Sequence, residues 1–115
     1  MSKVEYGGIT VNSTGNRIPT LADSTLQVQK VVLFIASSSA EAAAGYYDPT
    51  DTFTGSSAYA DEGIGNTITH YRNIGGTKTK VFEAVITSIA TAGEFTFNVS
   101  TCTQSTLVRF VVFGV

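Results

Sequence analysis

Glu94-Phe95-Thr96-Phe97-Asn98-Val99 decides the fold class. Apolar and polar side chains alternate here with a period of two. That is the period of a β-strand with one face buried and one face wet. Phe95, Phe97 and Val99 are expected on the core side, Thr96 and Asn98 on the outside.

The neighbouring segments agree. Ala92-Gly93 is a turn before this strand, and residues 101–105 form the next one. The run Thr106-Leu107-Val108-Arg109-Phe110-Val111-Val112-Phe113 is then a strand that is apolar on both faces except at Arg109. On the other side, residues 77–87 read as a strand. Gly75-Gly76 reads as the tight hairpin turn leading into it, because both positions tolerate positive φ. Residues 66–73 supply the strand before that turn.

The first half is less regular. Residues 26–35 form a strand that starts with Leu26, Val28 and Lys30 on one face and then becomes apolar on both. Residues 36–45 are alanine-rich and end at Gly45, which predicts a short helical turn. Residues 46–66 read as a long irregular segment, with short strands around residues 50–54. Residues 1–25 read as an arm or edge strand, with alternation at residues 8–12, a turn at residues 13–16 and extended chain before Pro19. The whole, residues 1–115, is expected to be a single all-β domain, an antiparallel β-sandwich or jelly-roll-like barrel. Its expected core draws on Val28, Val32, Phe34, Val81, Val85, Phe95, Phe97, Val99, Val108, Phe110 and Val112.

Composition narrows the function classes. At 43% hydrophobic and 14% charged, the chain is too apolar and too weakly charged for a disordered protein. A net charge of −2 with scattered basic residues argues against nucleic-acid binding, and Arg72, Lys78 and Lys80 read as solvated strand positions. No apolar run approaches the ~18 residues of a membrane-spanning helix, and the polar opening residues carry no secretion signal. No membrane partner is therefore expected.

Chemistry is sparse. Cys102 is the only cysteine and His70 the only histidine, so neither a disulfide nor a histidine-rich metal site is expected. A small hydrolase would need His70 beside an acid and a nucleophile, and no nucleophile motif surrounds His70 or Cys102. Asp48, Asp51, Asp61 and Glu62 lack the spacing of a calcium-binding loop. The expectation is no enzyme, no cofactor and no metal. Tyr46, Tyr47, Asp48, Phe53, Tyr59 and Asp61 mix aromatic rings with acids, which suits stacking on a sugar, so a carbohydrate- or receptor-binding module is the alternative reading.

The two-faced strand at residues 106–113 points elsewhere. A chain of this length has little material to cover both of its faces, so part of the surface is expected to meet another copy of the protein. Leu107, Val111, Phe113 and Val115 are the expected interface.

From residue 82 onward, the runs Phe82-Glu83-Ala84-Val85-Ile86, Gly93 to Val99 and Leu107 to Phe113 resemble the terminal β-domains of bacteriophage tail, fibre and other virion proteins. Those proteins are rich in Thr, Ser, Gly and Asn, poor in Cys, and commonly trimeric or ring-forming. The resemblance is one of texture, covers about the last third of the chain and carries over no functional residue. It implies a non-enzymatic virion component, assembled in the host cytoplasm, whose partners are its own copies in a trimer or higher ring and other virion proteins.

Overall fold

The computed structural model describes residues 1–36, 42–47 and 67–115. Among them the protein is all-β. Its strands are β1 (Lys3–Val11), β2 (Gly15–Arg17), β3 (Val28–Ala36), β4 (Ala42–Tyr47), β5 (Thr67–Ile74), β6 (Thr77–Ser88), β7 (Thr96–Cys102) and β8 (Thr106–Gly114). They form two four-stranded antiparallel sheets, ordered β1-β8-β3-β4 and β2-β7-β6-β5, an arrangement compatible with a β-sandwich.

The two sheets share one core. Val31, Leu33, Val108 and Phe110 of the first sheet pack in the same cluster as Phe82, Ile86, Phe97 and Val99 of the second. Phe95 joins the layers: its ring meets Phe110 edge-on at 5.2 Å and lies nearly parallel to Phe97 at 6.1 Å. Such aromatic pairs add to plain area burial through favourable edge and offset geometry. Gly7 on β1 makes room for this packing, since a Cβ there would stand 2.7 Å from Phe110 Cζ.

Turns follow from local chemistry. Gly75 and Gly76 have φ of 59° and 85° and close the β5–β6 hairpin, as expected from the Gly-Gly pair. Gly93 does a different job. At φ 78° it accepts a hydrogen bond from Leu21 N (2.8 Å) and donates one to Leu26 O (2.9 Å), with Ser24 so close that any side chain would collide. It ties the segment between β2 and β3 to the turn between β6 and β7.

That same segment is pinned under β1. Glu5 accepts hydrogen bonds from Ala22 N (2.7 Å) and Asp23 N (3.0 Å). Asp23 accepts from Thr25 Oγ1 (2.6 Å), Lys3 Nζ (2.9 Å) and Thr25 N (2.9 Å). Hydrogen bonds favour the charged carboxylate, the Thr25 hydroxyl most and Lys3 next, and they lower the Asp23 pKa from 3.8 to about 2.

Three expectations need correction. The alanine-rich stretch is no helical turn over residues 42–45. It lies in β4, because pairing with β3 satisfies its backbone groups and overrides a weak helical propensity. Tyr46 and Tyr47 accordingly belong to a strand and not to an irregular segment. Finally, Val32, Phe34 and Val85 are only half-buried, while Val31, Leu33, Ile35, Ala84 and Ile86 are inside. The cause in β3 is a shift of register between Val28 and Lys30. One extra residue reverses which side chains face inward. Val81 stays buried at a similar irregularity, where β6 slips against β5 between His70 and Tyr71. The expected strand around residues 50–54 lies outside the described residues.

Candidate functional site

Alternation that sends Val31, Leu33, Val108, Phe110 and Val112 into the core sends their neighbours to the outer face of the first sheet. Strand register arranges those neighbours in rows. The middle row reads Tyr6–Val111–Val32–Tyr46 across β1, β8, β3 and β4. On one side lies Val4–Phe113–Lys30. On the other lies Gly8–Arg109–Phe34–Ala44. Thr10 and Leu107 follow beyond.

This face is apolar and open. Tyr6 is 79% exposed, Val4 59%, Leu107 42% and Phe113 39%. Half-buried Val111, Val32 and Phe34 fill the spaces between them. Among the described residues of these rows, the charged groups are Arg109 and Lys30. A hollow of about 390 Å³ opens at one end of the face, lined in part by Lys3, Val4, Lys30 and Phe113. Scattered single apolar residues on a surface are ordinary, but a contiguous sheet face of them marks an interaction surface.

Of the residues expected at an interface, Leu107, Val111 and Phe113 lie together on this face. Val115 follows directly, 43% exposed, its backbone exchanging hydrogen bonds with Gln27 at 2.8 and 3.1 Å. Sequence reasoning missed Val4, Tyr6, Val32 and Phe34. The alternation of Val4 and Tyr6 with Lys3 and Glu5 was the available signal for β1. No comparable signal existed for β3, where both faces are apolar.

The expected sugar-stacking set divides. Tyr46 pairs with Val32 on the outer face, whereas Tyr47 pairs with Val31 and packs against the core. Adjacent strand residues point to opposite faces, so these two rings cannot form one platform. Asp48, Phe53, Tyr59 and Asp61 lie outside the described residues.

His70 is 1% exposed and faces inward from β5, opposite Phe82 of β6. Phe82 is in turn opposite Cys102 on β7. His70 and Cys102 are thus two strand spacings apart, about 10 Å, with a phenylalanine between them. Cys102 Sγ donates to Gln104 O at 3.1 Å and lies 3.6 Å from Val11 O. This geometry provides no histidine–thiol hydrogen bond. No group of three metal-ligating side chains occurs among the described residues, and no helix there is long and apolar enough to cross a membrane.

The outer face of the second sheet is polar. Glu83 accepts from Thr69 Oγ1 (3.2 Å), Lys80 Nζ (3.3 Å) and Ser100 Oγ (3.3 Å). Asn98 Nδ2 donates to Asn16 Oδ1 at 2.9 Å. Each of these groups has a hydrogen-bond partner on its own sheet. Comparison of the chain with protein-family models, curated proteins and solved structures finds no match.

Proposed function

We propose that this chain is a non-enzymatic assembly module that works by self-association through the outer face of its first sheet. One observation carries the reading: the contiguous apolar surface built by Tyr6, Val111, Val32 and their flanking rows. Water contact with that surface is costly, and a second protein surface relieves it. The work done is shape recognition and burial, with no bond chemistry.

The particle context is part of the same proposal. A Thr-, Ser- and Gly-rich β chain with a single cysteine fits a phage or virus structural component, located in the particle it helps to build. The nested pairs β1–β8 and β2–β7 favour a jelly-roll kinship, while the β3–β4 hairpin and the β5-β6-β7 meander are departures from it. The test is light scattering over a concentration series. Growth of mass with concentration to a defined oligomer is the expected result. A monomer at every concentration would overturn the proposal.

A further inference from the structure

The first sheet ends at β1 and β4, the second at β2 and β5. Long strand edges invite pairing with another chain, so proteins shorten them, bulge them or cover them. β2 has three residues, β5 carries an irregularity between His70 and Tyr71, and β4 packs against β5. β1 shows none of these devices among the described residues. It runs for nine residues, pairs with β8 without a break and contains no proline. Its charged groups, Lys3 and Glu5, turn to Asp23 and to the backbone of Ala22 and Asp23.

Register shows which backbone groups this edge offers. Gln27 and Val115 exchange both backbone hydrogen bonds, so Val115 turns its backbone towards the β3 side. The carbonyl of Val108 turns the other way, to β1, and its oxygen lies 3.4 Å from where a Cβ on Gly8 would stand. Along β8, then, alternate residues bond to β3 and to β1, and the even-numbered ones bond to β1. Their partners are Lys3, Glu5, Gly7, Ile9 and Val11. Val4, Tyr6, Gly8 and Thr10 therefore point their N–H and C=O groups outward, and no hydrogen bond to these groups occurs among the described residues.

The side chains choose the partner. A second copy offers the same four residues with their backbone groups free. Laid antiparallel and centred on Gly7, the two strands pair Val4 with Thr10 and Tyr6 with Gly8, twice over, and use the whole of β1 in both copies. Each of these pairs exchanges two hydrogen bonds. A register centred on Tyr6 or on Gly8 leaves strand ends unpaired and sets like against like. Nothing within one copy calls for glycine at position 8: its φ is not positive, and a Cβ would make ordinary contacts, the nearest at 3.4 Å. A glycine inside a strand weakens it. In the Gly7-centred register the second copy's Tyr6 ring lies over Gly8, as aromatic side chains shield strand glycines. Tyr6, 79% exposed in one copy, gains cover, and its ring reaches across Gly8 to Arg109 on the next strand.

We infer that two copies of the chain join β1 to β1, antiparallel, about a two-fold axis between their Gly7 residues, fusing two four-stranded sheets into one. This goes beyond the face association proposed above, because it uses the strand edge and leaves the outer face open on both copies.

The experiment is sedimentation equilibrium on the full chain, with circular dichroism to confirm that each variant folds. Wild type is expected to self-associate. Gly8→Pro removes an outward N–H, a change that edge strands tolerate, and is expected to weaken association by about tenfold or more. Gly8→Val puts a strand-forming side chain under the second copy's Tyr6. The same weakening is expected, with the melting temperature unchanged or raised. Cross-linking reads the register. Val4→Cys with Thr10→Cys brings thiols of the two copies into disulfide range, about 5.5 Å between Cα atoms, and an oxidised dimer is expected. Within one copy the same positions are about 20 Å apart. Val4→Cys alone is expected to give no such dimer. Should Gly8→Pro fail to fold, Gly8→Val and the cross-link decide. A wild-type monomer at every concentration would overturn both this pairing and the face association. Association that resists the Gly8 variants and yields no cross-link, yet fails in Val111→Glu, would overturn the pairing and leave the face association standing. Association lost in the Gly8 variants and kept in Val111→Glu would support the pairing and overturn the face association.

Discussion

The outer faces of the two sheets come from the same alternation and end in opposite chemistry. The second sheet shows water Thr69 and Ser100, both bonded to Glu83, and Asn98, bonded to Asn16. The first shows Tyr6, Val4, Leu107 and Phe113. Burial of the inner faces constrains one residue in two. The other residue is free to suit solvent or a partner, so the contrast between the faces is what singles out the first sheet as the side proposed to assemble.

The largest effect should erase the contrast. Phe97 is fully buried in the core that both sheets share. Phe97→Ala should cost about 3–5 kcal/mol by leaving a cavity, and both outer faces should be lost together in one denaturant transition. Separate transitions for the two sheets would show that the core is not shared.

A charge on one face sharpens it. Val111→Glu places a carboxylate in the middle row of the apolar face. Self-association should weaken by about tenfold or more, roughly 1.4 kcal/mol, while the monomer's melting temperature hardly moves. The matching change on the polar face, Asn98→Glu, should leave sedimentation unchanged. Equal loss from both would remove the distinction between the faces.

Glu83→Gln is a smaller probe of the polar side. It breaks the 3.3 Å pair with Lys80 on a partly exposed surface. Thermal melts should show a loss of no more than about 1 kcal/mol with oligomeric state intact. A change in mass would mean that the second sheet also takes part in assembly.

The smallest effect is set by pH at the edge of the apolar sheet. Asp23 titrates lower in the folded protein, at about 2, than its ordinary 3.8. Its contribution to stability is therefore fully present above about pH 4 and is lost as pH falls towards 2. Asp23→Asn should flatten that part of the melting-temperature profile. An unchanged acid limb would show that Asp23 does not contribute to it.

Much of the fold was legible in residues with unambiguous patterns. Phe95, Phe97 and Val99 alternate with polar neighbours, and all three are buried. Gly75-Gly76 announced the hairpin. Val31 to Ile35 carried no such pattern, because every side chain there is apolar and either parity looks suitable for a core. Two residues of the candidate site, Val32 and Phe34, were hidden for the same reason, since by pattern they suit the core equally well.

By itself, then, the sequence determined that the chain forms β-strands, where several turn, and that β8 has one apolar face too many. Period-two patterning and glycine conformations are local properties, and residues a few positions apart suffice to express them. Only the tertiary structure decided which face of β3 is outside, that β1 lies beside β8, and that Tyr46 and Tyr47 part company. Those outcomes depend on register between strands distant in sequence. One inserted residue near Val28 reverses every side chain beyond it, at an energy that no local pattern records.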